Sequence, residues 1–370
     1  MDDIQTIAAQ FQPGSDTVVD VKPYGTGNIN DTYLVTVDGG PRRRFILQCI
    51  NQRVFPFPKL IMVNLRAFSE HIAAKRRGRG EKAERRWELP QVVPTRDGQD
   101  YVIDDAGDFW RAITFIEGAR AYPKVRDAQH AREAGYALGR FQYLISDMDT
   151  DTLHDTLPGF HILPRYLDHY RDVLAADPAR LDEGEAQRCA GFFDAHGDQA
   201  LALERARDRG DLWVRPIHGD PKIDNIMIDT RTGRAVSIVD LDTVKPGLVQ
   251  YDIGDSLRSS CNPLGEETHE IDDVAFDLDL CEMILRGYLP QVKAFFTDAD
   301  YAMIYDAVWC LAFEMALRFF TDYLEGDVYF KVSYPRNNLM RARVQIALAE
   351  SIAAQSGEIR DLVDGLRQRL

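Results

Sequence analysis

Apolar positions in the first part of the chain fall in short β-branched and aromatic runs separated by turn residues. Residues 18–22 form an extended run, followed by Tyr24-Gly25-Thr26-Gly27-Asn28-Ile29-Asn30, which is rich in residues that tolerate positive φ. Residues 32–37 have the composition a pleated strand prefers, Asp38-Gly39-Gly40-Pro41 turns the chain, and residues 44–50 run back as a hairpin. A helix is expected over residues 59–75 after Pro56 and Pro58, then a hairpin at Asp97-Gly98 and a strand over 110–116. From residue 127 the character changes. Residues 131–145, 163–176 and 185–207 have helical composition, a β-rich island occupies 214–242, and helices resume from about 273, most clearly at 309–324 and 339–354. The one good breakpoint is Glu117-Gly118. The expected fold class is α+β, with a small β-rich lobe (residues 1–117) on a larger, mainly helical lobe (118–370).

Composition narrows the class. The chain has 370 residues, 45% apolar and 28% charged, which suits a globular protein and not a disordered one. A net charge of −15 argues against a nucleic-acid partner, whose phosphates need neutralising, and against an anionic membrane surface. Five cysteines are scattered and never spaced as C-x-x-C, so neither a disulfide framework nor a zinc site is expected. No secretory signal and no bilayer-length apolar run is found, and the location expected is the cytoplasm. The residues 75–86 are basic and read as a solvated helix end and loop.

The most informative segment is Pro216-Ile217-His218-Gly219-Asp220-Pro221-Lys222-Ile223-Asp224-Asn225, followed by an apolar strand over 235–239 and Asp240-Leu241-Asp242. Asp220 lies in a Gly/Pro loop, where a carboxylate can be aimed free of helix constraints. Asn225, five residues on, offers a hard neutral oxygen. Asp240 tips the strand with a negative charge. One carboxylate to accept a proton, with an Asn and an Asp to hold Mg²⁺, is the minimum set for phosphoryl transfer from a nucleotide.

The pattern H-G-D-x-x-x-x-N, then an apolar strand and Asp, resembles the catalytic loop and metal-binding strand of the aminoglycoside phosphotransferase/choline kinase family, a branch of the protein-kinase-like fold. Four further segments, 24–33, 241–247, 251–258 and 318–331, resemble the bacterial N-acetylhexosamine 1-kinases. The likeness runs from about residue 18 to 343. It implies an ATP- and Mg²⁺-dependent kinase of a small-molecule sugar, acting at the anomeric hydroxyl. It also implies a nucleotide-binding lobe over 1–117 and a catalytic and substrate-binding lobe over 118–370. Residue by residue, it implies Asp220 as catalytic base and Asn225 and Asp240 as Mg²⁺ ligands. Gly25, Thr26, Gly27 and Asn28 would cover the phosphates, and Phe115, Ile116 and Glu117 would form the interlobe hinge facing adenine. Arg318 and Tyr329 would lie at the hexose.

One departure stands out. The third strand reads Phe45-Ile46-Leu47-Gln48, with Gln48 where most kinases carry a phosphate-binding Lys. Gln48 can hydrogen-bond a phosphate but brings no charge, and Lys22, Arg43, Arg44 and Arg53 are the candidates to supply it. His218 reads as a loop-orienting residue, because Asp220 already provides a base. Asp242 reads either as a contact to metal or substrate or as a residue of its own loop, and Arg318 either as a substrate contact or as a core-edge Arg with a buried stem. The rival functions are another acceptor in the same family (an aminoglycoside, choline or homoserine), a pseudokinase motivated by the absent Lys, and a D-x-D glycosyltransferase.

Overall fold

The computed structural model describes residues 4–11, 17–25, 29–39, 44–78, 85–177, 181 and 184–370. Thr26, Gly27, Asn28 and Arg43 lie outside the described residues. The N-terminal lobe holds α1 (Ile4–Gln10), β1 (Thr17–Pro23), β2 (Asp31–Asp38), β3 (Arg44–Ile50), α2 (Pro58–Gly78), β4 (Tyr101–Ile103) and β5 (Phe109–Thr114). Its strands form one antiparallel sheet in the order β1-β2-β3-β5-β4. The register sets Gln48 on β3 beside Thr32 on β2 and beside Arg111 on β5. One face of the sheet is sealed by Ile7, Ala8 and Phe11, packed with Val35, Val37, Phe45, Leu47 and Trp110.

The second lobe comprises β6 (Ala119–Arg120), α3 (Ala128–Ile145), α4 (Leu163–Ala176), α5 (Gly184–His196), α6 (Ala202–Asp208), β7 (Arg215–Ile217), β8 (Ile226–Asp229), β9 (Ala235–Ile238), β10 (Lys245–Gly247), α7 (Val249–Ser260), α8 (Leu278–Val292), α9 (Asp298–Ala302), α10 (Ile304–Glu325), α11 (Asn337–Ala354) and α12 (Ser356–Arg367). Two small sheets, β6-β8-β9 and β10-β7, present the loops of interest. The helices pack around α10, which is buried on nearly every side. Helices α3 and α8 cross with their main chains almost touching: a Cβ at Gly135 would lie 1.9 Å from the Ile284 carbonyl oxygen, and one at Gly287 1.9 Å from that of Arg132. The lobes share apolar packing. Ile61, Leu65 and Phe68 of α2 join Phe141 and Leu144 of α3 and Ile226, Ile228 and Ile238 of β8 and β9 in one cluster. At about 1.5–3 kcal/mol per fully buried large side chain, this cluster fixes α2 against the second lobe.

The small antiparallel sheet and the larger helical lobe agree with the sequence expectation. Four details differ. The helix expected over 185–207 is broken, because the chain turns at Gly197 and re-aims Ala200, Leu203 and Ala206 into the main core. Helix α7 was not anticipated, since Asp252, Gly254, Asp255 and Ser256 dilute any apolar stripe; the helix is buried almost throughout, with polar groups bonded internally. The turn at Asp97-Gly98 is present, yet residues before it make only an isolated bridge, Val92 to Ile113. In the basic stretch, Lys75 is not solvated: its Nζ donates to the Tyr143 carbonyl (2.5 Å) and to Asp147 (2.7 Å). Among the described residues no helix is long and apolar enough to cross a membrane, and the five cysteines are free thiols.

Candidate functional site

Strand β7 delivers the chain into residues 218–225, and three side chains fix the start of this loop. Asp252 of α7 accepts from the His218 amide (2.9 Å), the Gly219 amide (2.8 Å) and Gln142 Nε2 (2.9 Å). Thr243 Oγ1 donates to the His218 carbonyl (2.8 Å), and His161 Nε2 meets the Gly219 carbonyl (2.7 Å). Gly219 has φ +87°, and a Cβ there would fall 2.7 Å from the Thr243 carbonyl oxygen. Only glycine suits both demands. His218 is fully buried. The Asp220 amide donates to its Nδ1 (3.2 Å) and its Nε2 donates to the Val239 carbonyl (3.0 Å), which selects the neutral tautomer. Burial pushes its pKa below the ordinary value, in the same sense. One ring thereby spans the residue bearing the Asp220 carboxylate and the residue before Asp240.

Asn225 Nδ2 donates to the Asp220 carbonyl (2.7 Å) and to its carboxylate (3.3 Å), and Lys222 Nζ sits 3.1 Å from the same carboxylate. Burial opposes charge on Asp220, but the Lys222 ammonium overrides it and holds its pKa below the usual carboxylate range. Asp240 behaves oppositely. It takes the left-handed conformation (φ 63°, ψ 57°) at the end of β9, and the Val239 amide donates to the Asn225 carbonyl (2.8 Å), joining the two segments. Enclosure by protein, then the charges of Asp242 and Asp220, push the Asp240 pKa up. Its outer face is open to solvent, which tempers the effect without removing it. No side chain among the described residues donates to Asp240, and none reaches Asn225 Oδ1.

That arrangement fits a divalent cation. Asp240 and Asn225 each keep an oxygen without a protein donor, and negative charge is crowded beside them. Among the described residues no group of three or more His, Cys, Asp or Glu side chains is arranged to hold a metal. A Mg²⁺ here would draw its remaining ligands from phosphate and water, which is its habit at nucleotide sites.

Towards the N-terminal lobe, Gly25 has φ +80° in the β1–β2 turn, beside a hollow of about 180 Å³ lined by Tyr24, Gly25, Asn30 and Thr32 among others. A larger hollow of about 290 Å³, lined by Tyr170, Phe193 and Asp194, shares no residue with the carboxylate cluster, so size alone does not locate the site. Ile116 is buried, and Phe115 lies under the Arg44 guanidinium (4.6 Å) and against the Tyr24 edge (5.7 Å). The Glu117 carboxylate pairs with Arg44 and its carbonyl accepts from Arg86 Nη2 (2.7 Å), so one main-chain acceptor of the expected hinge is already used. Asp242 is 2% exposed and reaches the other lobe, bonded to Arg111 and to Asn30 Nδ2 (2.8 Å). Gln48 accepts from Arg111 Nε (3.1 Å) and Nη2 (2.9 Å). Of the cations considered for the absent Lys, Lys22 is exposed beside Asp20, Arg44 pairs with Glu117, and Arg53 is exposed. Sequence reasoning passed over Arg111, although a lone Arg in an apolar strand was the signal.

On the other side of Asp220, Arg318 lies among Phe160 (5.1 Å), Tyr166 (5.3 Å) and Phe330 (5.5 Å), with Glu314 at 3.7 Å. Glu314 also meets His161 Nδ1 (3.0 Å), so Arg318, Glu314, His161 and the Gly219 carbonyl form one buried chain ending next to Asp220. Burial opposes charge on both partners of the central pair, but each stabilises the other: His161 is held above its ordinary pKa and Glu314 below. Neither residue carries a sequence signal. Tyr329 is 50% exposed; its amide, with those of Val328 and Phe330, is bound by the Asp322 carboxylate.

Known structures share this architecture at low identity. An aminoglycoside phosphotransferase from Alicyclobacillus acidocaldarius has a TM-score of 0.55 at 15% identity, covering 99% of this chain and 95% of its own. A choline kinase from Cryptosporidium parvum gives 0.58 at 12%, covering 98% and 96%. An amicoumacin kinase, in complex with AMP-PNP and Ca²⁺, gives 0.56 at 16%, covering 100% and 98%. These likenesses concern the fold. At the level of sequence, residues 20–279 match the APH phosphotransferase enzyme family, and the chain is a member of that family of small-molecule phosphotransferases.

Proposed function

We propose that this phosphotransferase uses ATP and Mg²⁺ to phosphorylate the anomeric C1 hydroxyl of an N-acetylhexosamine, with residues 1–117 holding the nucleotide and 118–370 the acceptor. The observation that carries the reading is the opposed surroundings of the two carboxylates: Asp220 is held ionised by Lys222, 3.1 Å away, while Asp240, lacking any donor and crowded by Asp242 and Asp220, is pushed towards protonation. Two neighbouring acids with pKa values driven apart divide the roles of base and cation ligand. Asp220 accepts the proton of the acceptor hydroxyl and aligns its oxygen with the γ-phosphorus. Asn225 and Asp240 hold Mg²⁺, which when bound neutralises phosphate charge. The lobes enclose the reactants and exclude water, and positioning contributes most because the transition state is loose.

Arg318 supports a sugar as the acceptor. Its guanidinium, walled by Phe160, Tyr166 and Phe330, offers donors to hydroxyl or acetamide oxygens and apolar faces to the ring. A fixed cation there disfavours the charged amines of choline or an aminoglycoside. Phosphorus NMR of products formed with ATP, Mg²⁺ and a panel of acceptors tests both levels. The expected result is a sugar 1-phosphate. Phosphorylation of choline or an aminoglycoside but of no hexosamine refutes the acceptor; no product with any acceptor refutes the kinase.

A further inference from the structure

A triphosphate tail needs cationic partners, and residue 48 is Gln. Arg111 stands directly opposite it in the β3–β5 register, one strand away. Its guanidinium is gripped along one edge: Nε and Nη2 both donate to Gln48 Oε1, and Nη2 also pairs with Asp242. Gln48 is itself oriented by its Nε2, which donates to Thr32 Oγ1 (3.1 Å). Asp242 is steadied by Asn30 and by Thr156 Oγ1, which donates to its carbonyl (2.5 Å). The opposite edge is free. Arg111 is 2% exposed, and its Nη1 is buried with no hydrogen-bond partner among the described residues. A buried guanidinium nitrogen without an acceptor is rare in a native fold, because five N–H groups in a rigid fork are normally all matched. The seam it occupies joins the N-terminal sheet to the segment bearing Asp240, and its charge is felt at Asp240.

We infer that Arg111 is the phosphate-binding cation of this chain, relocated from β3 to the adjacent strand, with Gln48 and Asp242 holding one edge of the guanidinium so that Nη1 donates to an α- or β-phosphate oxygen of the nucleotide. Pairing with Asp242 does not cancel this role; it fixes the fork, as a planar bidentate group requires. The inference rests on the nucleotide reading above, and a binding measurement separates the two.

Calorimetric titration of the whole protein with Mg²⁺·ADP and with adenosine isolates the phosphate contribution. Arg111→Met leaves Asp242 buried without its cation, so the double variant Arg111→Met/Asp242→Asn is the cleaner probe. The expected result is a loss of roughly tenfold or more in ADP affinity, the scale of one charge-assisted hydrogen bond, with adenosine unchanged, and recovery when Gln48→Lys is added. An unchanged ratio of ADP to adenosine affinity in the double variant overturns the inference while leaving the nucleotide reading intact. A wild-type protein that binds no ADP removes both. If the double variant does not fold, Arg111→Lys is the second probe: it keeps a cation for Asp242 but removes the Nη1 donor, so ADP affinity falls while adenosine is unchanged, and an unchanged ratio of ADP to adenosine affinity refutes the assignment.

Discussion

Gly219 offers the sharpest test of how the site is built, because its main chain is held on both sides and has no room above it. Its amide is bound by Asp252 and its carbonyl by His161, its φ is +87°, and a Cβ would sit 2.7 Å from the Thr243 carbonyl oxygen and 2.9 Å from Thr243 Cβ. The nearest atom is main chain, so no rotamer change relieves the clash. Gly98 is the matched control: its φ is +83°, but a Cβ there meets nothing within 4 Å. Alanine in the left-handed region costs about 1–2 kcal/mol, and that is the whole loss predicted for Gly98→Ala. Gly219→Ala adds overpacking of about 1–3 kcal/mol, for a total of about 2–5 kcal/mol. Relaxation moves the adjoining Asp220, and a displacement of the order of 1 Å lowers turnover about a hundredfold. Urea unfolding measures the first quantity and ADP release the second. Gly219→Ala that unfolds like Gly98→Ala and turns over like wild type would refute the claim that this contact aims Asp220.

Two further outcomes are predicted. Asp220→Asn should lower kcat by about a hundred- to ten-thousandfold, the range for losing a general base, with the unfolding midpoint little changed because the bonds to Asp252, Thr243 and His161 that fix the loop use main-chain groups; wild-type turnover in this variant rejects the role. For the buried pair, His161 is raised above its ordinary 6.5, so its contribution to stability is full below that pH and is lost as pH rises through the folded-state value. Glu314 is lowered from 4.5, so its contribution is full above that pH and is lost as pH falls through its own folded-state value. The stability difference between wild type and Glu314→Gln should therefore peak between pH 4.5 and 6.5 and shrink on either side. A difference independent of pH contradicts the ion pair.

The local signals were strongest where the backbone itself dictates the pattern. The β-branched runs of β2 and β3, the Pro entry to α2, and the loop from His218 to Asn225 with Asp240 on its apolar strand were legible because each depends on neighbours close in the chain. Helix α7 was hidden because its polar residues are matched by distant partners, such as Gln142 to Asp252, and not by the solvent a helix pattern assumes. His161 and Glu314 were invisible for the same reason: 153 positions separate them, and nothing about either alone marks it.

Spacing along the chain thus brought forward Asp220, Asn225 and Asp240 as candidates for a base and two cation ligands, and the family resemblance marked Gln48 as a position without the expected charge. Which groups complete that chemistry depended on pairings across strands and lobes. Arg111 is brought to Gln48 by sheet register and to Asp242 by lobe packing, over 63 and 131 positions. Composition reports how much charge a chain carries; the low-dielectric contacts that give one guanidinium or one carboxylate its particular state exist only after folding has enclosed it.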